Sequence, residues 1–181
     1  MFTHIETPDL PKIEQINKPN GLRFYKTPEG NEYPSVTTIL GAKEKPGLER
    51  WRQMLGEDKA AKETKRCADR GTAVHEMAEK YLNNEEIITK NYKPEHVGDF
   101  NKLKFALNKI DNIRRQEVGL YSDMFQYAGT VDCVADFQGV LSVIDFKTST
   151  NNKTVDMIED YFKQCTCLLY TSDAADDVST V

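Results

Sequence analysis

Residues 127–147 constrain the fold more than any other part of the chain. Tyr127–Phe137 and Val140–Lys147 carry β-branched and aromatic residues throughout, and only Gln138-Gly139 separates them. Two strand-like runs joined by so short a link predict an antiparallel hairpin with a tight turn. With a two-residue loop, Phe137 faces Val140, and counting back sets Asp132 opposite Asp145. Opposed residues of such a pair project to one face, with Cβ atoms roughly 5 Å apart. Lys147 lies two residues beyond Asp145 and shares that face. The spacing therefore gathers two carboxylates and an ammonium, and a slip of one residue would scatter them.

Two like charges side by side on a half-buried strand face destabilise it unless something compensates. A divalent cation is one compensator, and carboxylate oxygens are the donors that Mg²⁺ prefers. Such an ion polarises a phosphate oxygen and acidifies a bound water, and Lys147 would position that water or stabilise developing charge. A salt bridge on an exposed sheet face explains the same three residues. The residues alone leave both readings open.

The rest of the chain frames the hairpin. Residues 1–21 are polar, hold Pro8, Pro11 and Pro19, and lack periodicity, so a flexible arm is expected there. Leu22–Lys26 reads as a short strand, residues 27–30 as a turn, and Tyr33 as the start of a second extended piece. Ser35 before Val36-Thr37-Thr38-Ile39-Leu40 suggests a capped helical start. A helix over Leu48–Leu55 carries Trp51. A longer one over Lys59–Leu82, interrupted at Gly71, has Ala68, Gly71, His75, Ala78 and Leu82 on its inner face. A third places Phe100, Leu103, Leu107, Ile110 and Ile113 on one stripe, and strand character begins near Gln116. Helices followed by clustered strands predict a mixed α/β domain with an antiparallel hairpin.

Gly129-Thr130-Val131-Asp132, followed by Ile144-Asp145-Phe146-Lys147-Thr148-Ser149, resembles the Asp…(Asp/Glu)-x-Lys signature of the PD-(D/E)xK nuclease superfamily. Arg70-Gly71-Thr72-Ala73-Val74-His75, with Glu79 one turn later, resembles the first motif of its RecB-like branch. The pattern from residue 22 to 167 is similar to the exonucleases that maintain mitochondrial genomes and to their phage relatives, Tyr33–Leu40 included. The resemblance implies a restriction-endonuclease-like core, a small mixed sheet flanked by helices with the Lys59–Leu82 helix against it, and metal-assisted hydrolysis of DNA. It assigns Asp132 and Asp145 to the metal, Lys147 to catalysis, and His75 to a place beside the ion, with Glu79 able to share a ligand from the next helical turn. Glu117 resembles a supporting acid. Gln164 begins a Gln-x-x-x-Tyr element that fails at Leu168, where a tyrosine is expected.

The implied partner is DNA, single-stranded or with free ends, and the implied cofactor is Mg²⁺, with Mn²⁺ as the substitute. Arg70 and the basic stretch of Lys62, Lys65 and Arg66 before it would hold phosphates at a groove mouth, or simply form a solvated helix face. Ser35, Thr37, Thr148 and Ser149 would donate to phosphate, or cap and terminate elements. Trp51 and Tyr33 would stack on unpaired bases, or lie in the core. His75-Glu76-Met77-Ala78-Glu79 falls short of a zinc-protease HExxH because Glu79 replaces the second histidine. The four cysteines form no CxxC pair and no iron–sulfur spacing, so no cluster is expected.

At 181 residues, 39% hydrophobic and 29% charged, the chain suits one soluble domain. A net charge of −5 excludes coating of nucleic acid through bulk positive charge, but not a local groove. With no long apolar run and an acidic beginning, the expectation is an intracellular monomer, in the cytoplasm of a bacterial or phage-infected cell, with no membrane contact. After Cys167 the sequence departs from the preceding pattern and resembles a translated sequencing-adapter stretch. Residues 168–181 are thus expected to be a non-native tail on a domain incomplete at its C-terminus. A restriction- or repair-type endonuclease, or a DNA-binding module without turnover, are the alternative functions.

Overall fold

The hairpin that the sequence predicts is present, and its turn chemistry explains it. In the computed structural model, which describes residues 1–43, 45–150 and 152–171, β5 (Tyr127–Phe137) and β6 (Val140–Ile144) pair in the register Phe137↔Val140 through Cys133↔Ile144. Gln138 and Gly139 both have positive φ, 52° and 81°, the combination that lets a two-residue loop follow the strands' right-handed twist. The ladder ends at Ile144, so the strand expected to reach Lys147 is three residues shorter. The next register place is that of Asp132 and Asp145.

The described residues are mixed α/β and divide into two units. The first holds residues 1–42, 109–145 and the described part of 151–181. It contains two three-stranded sheets, β1-β2-β3 (Glu14–Asn17, Arg23–Lys26, Glu32–Pro34) and β4-β5-β6, with β4 spanning Ile110–Ser122. Every pairing in them is antiparallel, where a mixed sheet was expected. Helix α1 (Val36–Gly41) begins at Ser35, whose Oγ accepts the Thr38 N–H at 2.9 Å, as the cap reading anticipates. Val36, Leu120, Val131, Val134 and Leu168 form its main core. Tyr25, Tyr33 and Ala128 form a second cluster, joining the two sheets.

Two expectations fail here for physical reasons. Ile110 and Ile113 lie on β4 and not on a helix. Their three-residue spacing mimics a helical stripe, but it arises from a bulge: the β4–β5 register shifts between Asp111 and Arg115, and Asn112 takes φ 50°. The expected flexible arm is ordered instead. Residues freed from β5 by the bulge bond to it, with Ile113 N–H donating to the Thr3 carbonyl and Ile5 N–H to the Ile113 carbonyl, both at 2.8 Å. Further along, β1 pairs with β2.

The second unit holds residues 43–108 and 146–150. In it α2 (Pro46–Leu55) and α4 (Pro94–Leu107) pack on α3 (Glu57–Leu82). Helix α3 runs unbroken through Gly71, and its buried residues are Ala60, Arg70, Val74, Met77, Ala78 and Leu82, while Ala68 is exposed. The predicted inner stripe was thus misplaced toward its N-terminal half. Tyr81 meets Phe100 of α4 edge-on at 5.8 Å, with the Lys104 ammonium 4.6 Å from the Tyr81 ring.

Helix α5 (Glu159–Leu169) continues through the point where a foreign tail was expected to begin, and Leu168 is buried at 1% exposure. Residues 172–181 of that expected tail lie outside the described residues. Among the described residues, no helix is long and apolar enough to cross a membrane.

Candidate metal and nuclease site

Strand β4 brings an acid to β5. Gln116 pairs with Cys133 and Val118 with Val131, so Glu117 stands opposite Asp132. Their carboxylate oxygens lie within 4.8 Å of one another, a spacing at which a shared cation offsets the repulsion. Glu117 has φ 47°, left-handed backbone that a non-glycine residue adopts at a cost of about 1–3 kcal/mol. Strain of that kind in mid-strand, aiming a carboxylate at another carboxylate, fits a ligand site better than a structural pair. Oxygen donors of this type suit a hard divalent ion. The same charges act on their neighbour: burial first, then Asp132 and Glu117, pushes the Cys133 thiol up to about 12.

Gln164 of α5 donates from Nε2 to Asp145 Oδ1 at 3.0 Å, uniting two residues that the sequence singled out. Asp145 is thereby held in orientation from outside the hairpin. Leu168, one turn further along α5, is no substitute for the tyrosine of the failed motif. It packs so tightly over Gly129 that a Cβ there would sit 2.8 Å from Leu168 Cδ2.

Within the second unit, residues 146–150 lie along α3. His75 Nε2–H donates to the Phe146 carbonyl at 2.6 Å, and the two rings meet edge-on at 5.9 Å. Thr148 lies beside Gly71, its Oγ1 at an ordinary contact distance of 3.8 Å from where a Cβ on that glycine would sit. Arg70 Nη1 donates to Thr150 Oγ1 at 3.0 Å. Four residues of helix advance about 6 Å and two of extended chain about 6.6 Å, so contacts at 75 and 71 match 146 and 148. The Arg-Gly-x-x-x-His spacing thus reads physically as a cradle for the segment bearing Lys147. Lys147 and Ser149 are exposed, Thr148 is half-buried, and Glu79 follows His75 by one turn, half-buried.

Other expected binding residues are otherwise engaged. Ser35 is 2% exposed and committed to its cap, also bonding Thr37 Oγ1 and Thr38 Oγ1 at 2.9 Å, which removes it from any phosphate. Thr37 remains on the surface. Arg70 is buried, with its Nη1 committed to Thr150. Tyr33 is buried, its hydroxyl donating to Asp123 Oδ1 at 2.5 Å. In the basic stretch, Arg66 pairs with Glu63 and Lys65 with Asp69, a salt-laced helix face. None of the four cysteines forms a disulfide. The sequence reading missed Arg115, which donates to the Thr7 and Pro8 carbonyls and ties the N-terminal segment to β4. The only hint was the sprinkling of Ile5, Leu10, Ile13 and Ile16 through an otherwise polar stretch.

No family model matches the chain. It is 33% identical over 131 residues to the mitochondrial genome maintenance exonuclease 1 of Mus musculus, covering 68% of this chain and 39% of that protein. The Homo sapiens protein of the same name is 33% identical over 134 residues, 68% of this chain and 38% of its own length. That of Xenopus tropicalis is 32% identical over 128 residues, 66% and 37%. The chain therefore spans about two fifths of the length of the curated relatives it matches. These partial relatives support a nuclease family.

Proposed function

We propose that the chain carries a divalent-metal-dependent deoxyribonuclease site of PD-(D/E)xK type, which hydrolyses phosphodiester bonds from DNA ends, with single strands preferred. The observation that carries this reading is the opposed pair of Glu117 and Asp132, with the strained backbone at Glu117. The hairpin register, which makes Asp145 the next acid along, supports it, and so do the exonuclease names of the partial relatives. The ligands in this reading are Asp132, Asp145 and Glu117, with His75 added by the resemblance. Mg²⁺ or Mn²⁺ bound there would supply Lewis-acid polarisation of the phosphate and a water of lowered pKa.

Each residue then has a stated task. Asp132 and Glu117 hold negative charge where the substrate brings more, so the cation site exists only while both are ionised. Gln164 keeps Asp145 Oδ1 oriented. Lys147 orients the attacking water or meets charge on the phosphate, and Phe146 and Thr148 on either side of it are seated on α3 through His75 and Gly71.

Digestion of end-labelled single- and double-stranded DNA and of a closed single-stranded circle tests the reading. Wild type is expected to degrade linear single strands in Mg²⁺ or Mn²⁺ and to stop in chelator, while Lys147→Ala loses at least about a hundredfold in rate. Equal rates for the two proteins would remove Lys147 from the mechanism. Cutting of the circle would turn the reading toward an endonuclease.

A further inference from the structure

The N-terminal segment is a strap built onto β4. Thr3 N–H donates to Asp111 Oδ1 at 3.0 Å, and Thr7 Oγ1 donates to the Arg114 carbonyl at 3.2 Å. Arg115 grips the Thr7 and Pro8 carbonyls. Leu10 packs on the main core, and Ile13 covers Gly119 so closely that a Cβ there would lie 2.6 Å from its Cγ1. Between these anchors strap and strand leave a cleft of about 360 Å³, whose lining includes Asp9, Pro11 and Lys12 on one side and Arg115, Glu117 and Gly119 on the other.

We propose that this cleft is a subsite for one unpaired nucleotide of the strand being cut, adjoining the phosphate handled at Glu117. The inference rests on the nuclease reading and deepens it. Binding sites for small ligands span about 300–1,000 Å³, and this cleft lies at the low end, large enough for one nucleotide and too small for a stacked pair. The exposed Pro11 offers apolar surface to the face of a base. The exposed Lys12 on the rim reaches for the backbone phosphate, and Glu117 belongs to both the cleft and the acid pair. Arg115 is a positioning residue: it holds the strap's carbonyls and so shapes the wall. A paired base would have to leave its partner to enter, so the cleft selects unpaired ends.

Lys12→Glu and Pro11→Trp test the proposal against Lys109→Glu, an equal charge change on the exposed residue before β4. Binding of fluorescent oligothymidylate is measured by anisotropy in chelator, and cleavage kinetics in Mg²⁺. Lys12→Glu and Pro11→Trp are expected to weaken binding on the order of tenfold and to raise KM with kcat nearly unchanged, Lys109→Glu doing neither. Wild-type binding and cleavage with all three variants alike would overturn the subsite and leave the nuclease reading standing. Failure of wild type to bind or cut DNA would overturn both.

Discussion

Glu117 holds a left-handed backbone in the middle of a strand, and that single residue separates stability from function. Glycine tolerates this conformation without cost. Glu117→Gly is therefore expected to be more stable than Glu117→Ala by about 1 kcal/mol in urea unfolding, although both lose the carboxylate. If alanine equals glycine there, the backbone is not strained. Asp136 acts in the opposite direction. Asn112 Nδ2 at 2.8 Å and the Arg114 guanidinium at 2.6 Å hold its carboxyl below the usual aspartate range. Because the folded value lies below the unfolded one, the stabilisation is complete above the ordinary aspartate pKa. It fades as pH falls through the folded value. Asp136→Asn should cost about 1–2 kcal/mol at neutral pH, allowing for solvent at a partly exposed pair, and less as the pH drops below about 4. Unfolding curves at pH 7 and pH 3 check this; an equal loss at both would exclude the carboxylate as the cause.

At the scale of elements, the strap shows why local sequence was only partly legible. The hairpin register, the Ser35 cap and the long helix could be read because each depends on neighbours in sequence: a turn dipeptide, a hydroxyl before a helix, a three-to-four period. The strap's partners lie more than a hundred residues away, as in the Thr3–Asp111 and Thr7–Arg114 bonds, and polar composition alone gives no sign of them. The bulge at Asn112 hid the start of β4 by imitating a helical spacing. At the candidate site the acids on the hairpin could be counted into place, and Glu117 was found only through resemblance, because no local rule predicts a left-handed glutamate in a strand. Gly119→Ala probes the strap directly. Its new methyl must displace Ile13, so a loss of about 1–3 kcal/mol and faster proteolysis within residues 1–13 are expected. Unchanged protease resistance would show that Ile13 yields freely.

For the molecule as a whole, a bound ion should appear as stability. Whatever binds only the folded state stabilises it by mass action, about 2.7 kcal/mol at a hundredfold excess over Kd. Mn²⁺ should therefore raise the melting temperature of wild type by several degrees and leave Asp132→Ala unmoved; equal shifts in both would place the ion elsewhere. One further consequence reaches beyond any single group. Asp145 is the sixth residue after the Gln138-Gly139 tip, and strand side chains alternate sides. The tip therefore keeps the count for the acid downstream of it. Its residues can be exchanged for others that accept the same turn, but one residue inserted there would send Asp145 to the far side of the sheet and set Ile144 opposite Asp132 in its place.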